Sequence, residues 1–425
     1  MPIIKDIKKA KKKIDDISSR FDLSKMSKEY KLVEAIINNV KKNGDKALIH
    51  YTNKFDKVNL KSVEVPQSEI NSSTKYIPKP LLSSIKKAIH KITAFQRTNT
   101  PQTWIRNFNS NEKLGYKYTP LDSVGIYIPG GKAPLISTVL MTVIPAKVAR
   151  VKRIVVFTPP PVNKGILAAC KLLGINEVYQ VGGAQAIAAS AFGTNSIKPV
   201  DKIVGPGNVY VTLAKKIVFG KVGIDGLYGP SEIAIIADKS ANPKFLATDL
   251  LSQLEHGSGL ESAFMVTNNE LLAKETQKEL LELVKFLPNK NTVLKSWNRN
   301  SAIAIVKDLD KACELINLLA PEHLEIITKN AFSLSMKITN AGAIFIGEYS
   351  CESVGDYIAG PSHCLPTGGS AKFSSGLTVM DFMKKISMIS FSKKAFDKNA
   401  KDIINLADAE GLKAHGDAIK IRLKR

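Results

Sequence analysis

The order of apolar runs predicts an α/β fold: two Rossmann-like parallel-sheet domains, a helical N-terminal region and a helical C-terminal tail. Three observations carry that prediction. From Leu121 to about Thr378, short β-rich runs alternate with helix-spaced segments. The alternation occurs twice, in two series of similar layout that fit an ancient duplication. Glycine-rich turns follow the strands of the first series.

Residues 1 to about 119 read as helical. In IKDIKKAKKKIDDI, Ile4, Ile7, Ala10 and Ile14 form one stripe, and the run Lys8-Lys9 with Lys11-Lys12-Lys13 then reads as a solvated helix face. Leu32, Val33, Ile36, Ile37 and Val40 repeat at helix spacing, and Asn43-Gly44-Asp45 ends one helix and caps the next. A further helix carries Leu82, Ile85, Ile89 and Ile92. The first α/β series has the strands SVGIYI, RIVVF, EVYQV and KIV, with helices around 134–149, 164–173, 184–191 and 208–218. The second has EIAIIA, SAFMV, AIAIV, LEIIT and AIFIG. After about Thr378 the chain becomes a charged helical tail. These changes divide it into 1–28, 29–120 with 232–378, 121–231 and 379–425.

A chain of 425 residues is long enough for two or more domains, and 44% hydrophobic with 23% charged residues is a globular composition. The formal charge of +23 raises a polyanion partner. The lysines are spread through the whole chain, however, so nucleic-acid binding is not expected. The four cysteines form no CxxC pair, which fits a reducing, cytoplasmic setting. The most apolar stretch, 133–149, is broken by Ser137, Thr138, Thr142 and Pro145, so no membrane span is expected.

The turns at Gly130-Gly131, Gly182-Gly183 and Gly205 with Gly207 each follow a strand. Such turns let N–H groups at helix starts approach phosphate. No GxGxxG follows a strand, so the standard dinucleotide fingerprint is missing. The chemistry-bearing side chains gather elsewhere. Gln253 and His256, three apart before Gly257, share one helix face. Glu322 and His323 follow Pro321 and offer two bases of different pKa for successive proton transfers. Asp356 and His363 lie in SCESVGDYIAGPSHCLPTGG, which reads as a loop. Gln253, His256, Asp356 and His415 would supply two nitrogen and two oxygen ligands, a set acceptable to zinc.

Eight motifs in order resemble the histidinol dehydrogenase family over nearly the whole chain: VGIYIPGGKAPLISTVLMTVIPA, VGGAQAIAA, DKIVGPGN, GPSE, LLSQLEHG, APEHLEI, GDYIAGPSHCLPT and AEGLKAH. The resemblance implies oxidation of L-histidinol to L-histidine in two NAD-dependent steps through a bound aldehyde. It implies one zinc per subunit and an intertwined homodimer, with the tail on the partner subunit. It makes 121–231 the NAD-binding domain and 29–120 with 232–378 the substrate and metal domain. Gln253, His256, Asp356 and His415 then become zinc ligands, and Glu322 and His323 the catalytic bases. Tyr127, Gln185 and Asn208 become NAD contacts. Substrate contacts are Ser231, His363 and Glu410, joined by His323 and the four zinc ligands. Three departures stand out: Ser362 where Asn is usual, the DGLY run before Gly229, and Gly411 where a longer side chain is usual. The alternative is a related zinc- and NAD-dependent polyol or sugar-acid dehydrogenase.

Overall fold

A computed structural model of the chain describes residues 1–109, 111–130 and 134–424. Gly131 of the first glycine turn lies outside the described residues. The chain divides into two compact units, Met1–Asn99 with Asp122–Phe382 and Thr100–Leu121 with Met383–Arg425.

The larger unit holds two parallel sheets. The first is built from Ser123–Tyr127, Arg153–Thr158, Glu177–Gln180, Lys202–Val204 and Gly223–Ile224, and counted along the chain its spatial order is 3-2-1-4-5. Helices Ile136–Val148, Lys164–Leu172, Gly183–Phe192 and Val209–Val218 connect the first four strands and lead on from the fourth. The second sheet uses Glu232–Ala237, Ser262–Thr267, Ala302–Ile305, His323–Ile327 and Ala343–Ile346 in the same 3-2-1-4-5 order, with Ile3–Ile4 added beside the third. Every pairing in both sheets is parallel. A strand covered on both faces must be apolar at every position rather than at alternate ones. EIAIIA and SAFMV meet that requirement, and all six residues of Glu232–Ala237 and of Ser262–Thr267 are buried.

The helices before the first sheet pack on it. Ser27–Asn43 and Asp45–Asp56 bury Val33, Ile36, Val40 and Leu48 in one core with Phe157, Ile187 and Leu213. This part of 29–120 therefore shares a core with the first sheet, not the second. At the chain start, Asp6 accepts from the Lys8 and Lys9 N–H groups and opens a helix, Ile7–Ser18. That helix buries Ala10, Ile14 and Ile17 with Ala234 and Phe264 of the second sheet and Ile316 of helix Leu309–Leu319. Ile4, expected on the helical stripe, lies in the edge strand instead.

The smaller unit corrects two expectations. Residues up to 119 were expected to be helical, yet Trp104–Asn109 and Glu112–Pro120 are antiparallel strands. The tail was expected to be all helix, yet it opens with strand Met383–Phe391, paired along its whole length with Glu112–Pro120. Trp104, Tyr116 and Tyr118 favour a pleated surface, and helical spacing upstream hid that preference. Helices Lys393–Ala409 and Lys413–Leu423 follow. Only small residues of these helices are buried, Ala395, Ala400, Ala407 and Gly416. Leu406 and Ile421 are each 66% exposed and Ile389 of the strand 74%.

Candidate functional site

At the amino ends of the second sheet, the strand starts bring acids and an imidazole together. Helix Leu309–Leu319 ends at the left-handed Ala320, and Pro321 cannot continue it. Glu322 and His323 then enter the sheet buried, beside Glu232 and Ile233 of the central strand. His323 Nδ1 lies 3.0 Å from the Glu232 carbonyl oxygen. A carbonyl can only accept, so Nδ1 carries the hydrogen and Nε2 presents its lone pair. Nε2 is buried with no hydrogen-bond partner among the described residues, 3.9 Å from Asp356 Oδ1. Burial lowers the His323 pKa, which favours the neutral ring with its Nε2 lone pair free to accept a proton. Glu322 Oε2 accepts the Glu232 N–H at 2.9 Å and sits 3.7 Å from His323 Nδ1. Burial, then the charges of Glu232, Asp356 and Glu352, push Glu322 well above the usual carboxylate range.

Asp356 and His363 come from the stretch expected to be a loop throughout. Its first part is helical, a short helix Glu352–Val354 running into a π-helical turn, Gly355–Ala359, that carries Asp356. Single π turns recur at functional sites because they displace one side chain from the helical register. His363 Nδ1 donates to the Asp356 carbonyl oxygen at 3.2 Å, and Nε2 lies 3.2 Å from Thr138 Oγ1. Burial pulls the His363 pKa down to about 4. Gly360 turns the chain between them at φ +125°, and a Cβ there would meet Phe95 Cβ at 2.5 Å. Ser362 Oγ accepts the Cys364 N–H at 3.2 Å, so this departure from the family pattern still anchors the turn after His363.

Gln253 lies in the last turn of helix Pro243–Leu254, 1% exposed, and both its amide atoms lack a partner among the described residues. A buried amide without partners costs about 1–3 kcal/mol, and a cation on its oxygen would recover that cost. His256 was expected on the same helix. It stands just past the helix end, exposed, with Nδ1 3.2 Å from the Gln253 carbonyl oxygen. From there its charge acts on Asp356, Glu352, His323 and His363. The ligating atoms of His323, Glu352 and Asp356 all lie within 4.8 Å of one another. Ser231 is half-buried and its carbonyl oxygen accepts the Ser262 N–H at 3.1 Å. Glu410 and His415 belong to the smaller unit, where both are exposed.

Sequence reasoning missed the acids behind this cluster. Glu325, 1% exposed in the middle of strand His323–Ile327, accepts the Glu352 N–H at 2.8 Å and hydrogen-bonds Asp249. Burial first, then the Asp249 charge, push Glu325 up to about 9, and burial raises Asp249 to about 6. Both carboxyls therefore favour the protonated form, Glu325 the more strongly. The Glu352 N–H ties the strand of His323 to the helix that runs into the turn of Asp356, and Asp249 faces Glu325 from the helix of Gln253. The signal was a lone acid inside the apolar run LEIIT.

The carboxyl ends of the first sheet look different. A cleft of about 1050 Å³ opens there, lined by Tyr127, Thr158, Gly183, Gln185 and Asn208 among others. It lies outside the strand ends near the point where strand order reverses, the usual ligand position in open α/β sheets. Gly205 passes so close to the first strand at φ +119° that a Cβ would meet the Tyr127 carbonyl oxygen at 2.1 Å. Tyr127 Oη accepts the Gly183 N–H at 3.1 Å, and burial raises the phenol to about 12. Gln185 is buried with Oε1 unpartnered among the described residues. Asn208 caps helix Val209–Val218, its Oδ1 accepting from Tyr210 and Val211 N–H, which leaves only its NH₂ for a ligand. The three residues expected to contact a nucleotide thus line one cleft.

Among the described residues no helix is long and apolar enough to cross a membrane. The family model described as histidinol dehydrogenase matches residues 19–423. The chain is similar to histidinol dehydrogenase of Clostridium acetobutylicum, 46% identical over 398 residues, which are 93% of this chain and 92% of that one. It is 50% identical over 391 residues to histidinol dehydrogenase of Oceanobacillus iheyensis, with 91% of each chain covered. The crystal structure of histidinol dehydrogenase from Elizabethkingia anophelis superposes with a TM-score of 0.90 at 39% identity, covering 93% of this chain and 92% of that one. The match spans both sheets, the cleft and the acid–imidazole cluster, and the chain belongs to the histidinol dehydrogenase family, oxidoreductases acting on a CH–OH group.

Proposed function

We propose that the chain oxidises L-histidinol to L-histidine through a bound aldehyde, using NAD in the first-sheet cleft and one zinc ion at the second-sheet cluster. The observation that carries this reading is the His323 tautomer. Its Nδ1–H is committed to the Glu232 carbonyl, and its Nε2 lone pair is buried 3.9 Å from Asp356 Oδ1 without a hydrogen-bond partner among the described residues. A neutral base at that place takes the alcohol proton of the first oxidation. Glu322, held against the Glu232 N–H, then accepts the proton of the water that adds to the aldehyde. His363 is engaged at both nitrogens by Asp356 and Thr138, so it would bound the substrate site with its ring without competing for the proton. Gln253, His256 and Asp356 would hold the zinc together with His415. Gln253 fits best, because its amide is buried and unsatisfied. When bound, zinc supplies a Lewis-acid anchor for the substrate's imidazole and amine nitrogens, and NAD supplies the hydride acceptor. Tyr127, Gln185 and Asn208 would contact the nucleotide.

The smaller unit supports a homodimer. Its exposed Ile389, Leu406 and Ile421 form no core of their own, and a second copy gives them one. His415 and Glu410 would then complete a partner's site. Co-expressing Glu322→Gln with His415→Asn tests this: mixed dimers should regain roughly a quarter of wild-type activity. No gain with mixed dimers present would refute sharing. The reaction itself is tested by counting NADH per histidinol. Two per molecule with histidine as product are expected. One per molecule with aldehyde released, or faster turnover of a sugar alcohol, would overturn the assignment.

A further inference from the structure

The first-sheet cleft carries a feature that its glycine turns do not explain. Only two charged side chains line it among the described residues, Asp56 and Lys164, and Lys164 is paired with Glu69 at 2.6 Å. Asp56 is unpaired. Its Oδ2 is shut off from solvent with no hydrogen-bond partner among the described residues. Burial pushes its carboxyl up to about 6, and its charge is felt by Tyr127 in the same cleft. The Asp56 side chain nonetheless lines the cleft, where its carboxylate can accept from a ligand hydroxyl.

Asp56 is also held firmly. It is the last residue of helix Asp45–Asp56, which Lys57 closes in the left-handed conformation. Ala47 and Leu48 of that helix are buried against the first sheet. At the helix start, the Asp45 carboxylate accepts from the Ser196 N–H at 3.0 Å and from its hydroxyl at 2.9 Å. The acid is therefore presented by a rigid element.

In dinucleotide-binding sheets of this strand order, an acid at the end of the second strand accepts from the ribose hydroxyls and disfavours a 2′-phosphate. Here the second strand, Arg153–Thr158, runs into Pro159, Pro160, Pro161, Val162 and Asn163, with no acid among them. The carboxylate arrives from outside the sheet. We propose that Asp56 is the ribose acceptor of the cleft and that it sets a preference for NAD over its 2′-phosphorylated form. This rests on the cleft being the nicotinamide-nucleotide site.

The first test needs no variant. The zinc-loaded enzyme should bind ADP-ribose at least about tenfold more tightly than 2′-phospho-ADP-ribose by calorimetry, the ratio of roughly one lost charge-assisted contact. Equal binding overturns the proposal. The second compares kcat/KM for NAD and NADP in wild type, Asp56→Asn and Asp56→Ala, with zinc content and Tm as controls for folding. Both variants should raise KM for NAD about tenfold, keep kcat within about twofold, and lower the NAD:NADP preference about tenfold or more. An unchanged preference in both sinks the ribose assignment. Gln185→Ala and Asn208→Ala separate the two levels of inference. If neither raises KM for NAD, the cleft is not the nucleotide site and both readings fall. If both raise it while the Asp56 variants keep the preference, only the role of Asp56 falls.

Discussion

The two sheets of the larger unit share one strand order and use opposite ends of it. The first opens its cleft at the carboxyl ends and lines it with glycines, prolines and amides around Asp56, the one carboxylate lining it among the described residues. The second gathers Glu232, Glu322 and His323 at the amino ends, with Glu325 and Asp249 behind them. Topology alone favours carboxyl ends for ligands in both. Function follows the local chemistry of a site rather than the fold that carries it. An anion-binding cleft needs free N–H groups, which helix starts after parallel strands provide. A proton-transfer site needs acids and an imidazole removed from water, so that burial separates their pKa values. That demands a buried edge, and here helical turns and loops cover the amino ends.

The division can be broken most severely at the metal. Chelation should abolish activity and zinc should restore it, and Asp356→Ala or Gln253→Ala should lower zinc content while NAD still binds the first-sheet cleft. Full activity after complete zinc removal would end the division as drawn. Next in size, His323→Asn should lower kcat by roughly 10²–10⁴, the range of a lost general base, with KM for NAD little changed. Glu322→Gln should slow oxidation of added histidinaldehyde more than the alcohol step, and rapid-mixing kinetics separates the two. An effect on the alcohol step alone would reverse the two roles.

At the other sheet the effects are smaller. Gln185→Ala and Asn208→Ala should raise KM for NAD by about tenfold each and leave zinc content at wild-type level. Joint loss of zinc and NAD would mean that the variants perturb folding instead. For Asn208 some loss of stability is expected too, about 1 kcal/mol, because its Oδ1 is also a helix cap.

The smallest expected effect concerns pH. The folded-state pKa of Glu325 is raised from its ordinary 4.5 to about 9. A group raised in this way stabilises the fold fully below its unfolded pKa and loses that contribution as pH rises through the folded value. Asp249, raised to about 6, acts in the same direction. Zinc-free wild type should therefore lose Tm on titration toward pH 9. Glu325→Gln, which keeps a donor toward Asp249 and an acceptor for the Glu352 N–H, should flatten the decline. Parallel curves for the two proteins would show that the Glu325 proton does not govern stability.

The sequence by itself determined which segments form the parallel sheets, and it singled out Glu322, His323, Asp356 and His363, which the fold brings close together. Buried parallel strands must be unbroken apolar runs, and EIAIIA or RIVVF can satisfy little else. Glycines after strands marked the cleft for a related reason, since only a residue without a side chain can lie against Tyr127 as Gly205 does. The tertiary structure decided what depends on partners distant in the chain. Strand Glu112–Pro120 was unreadable because one of its two partners, Met383–Phe391, lies more than 250 residues away and its lysines disguise the alternation, and Trp104–Asn109 is held in the sheet only through Glu112–Pro120. The raised pKa values of Glu325 and Asp249 and the Asp56 Oδ2 without a partner among the described residues were equally hidden. A carboxylate's pKa is set by what surrounds it in space, and spacing along a chain records nothing of that.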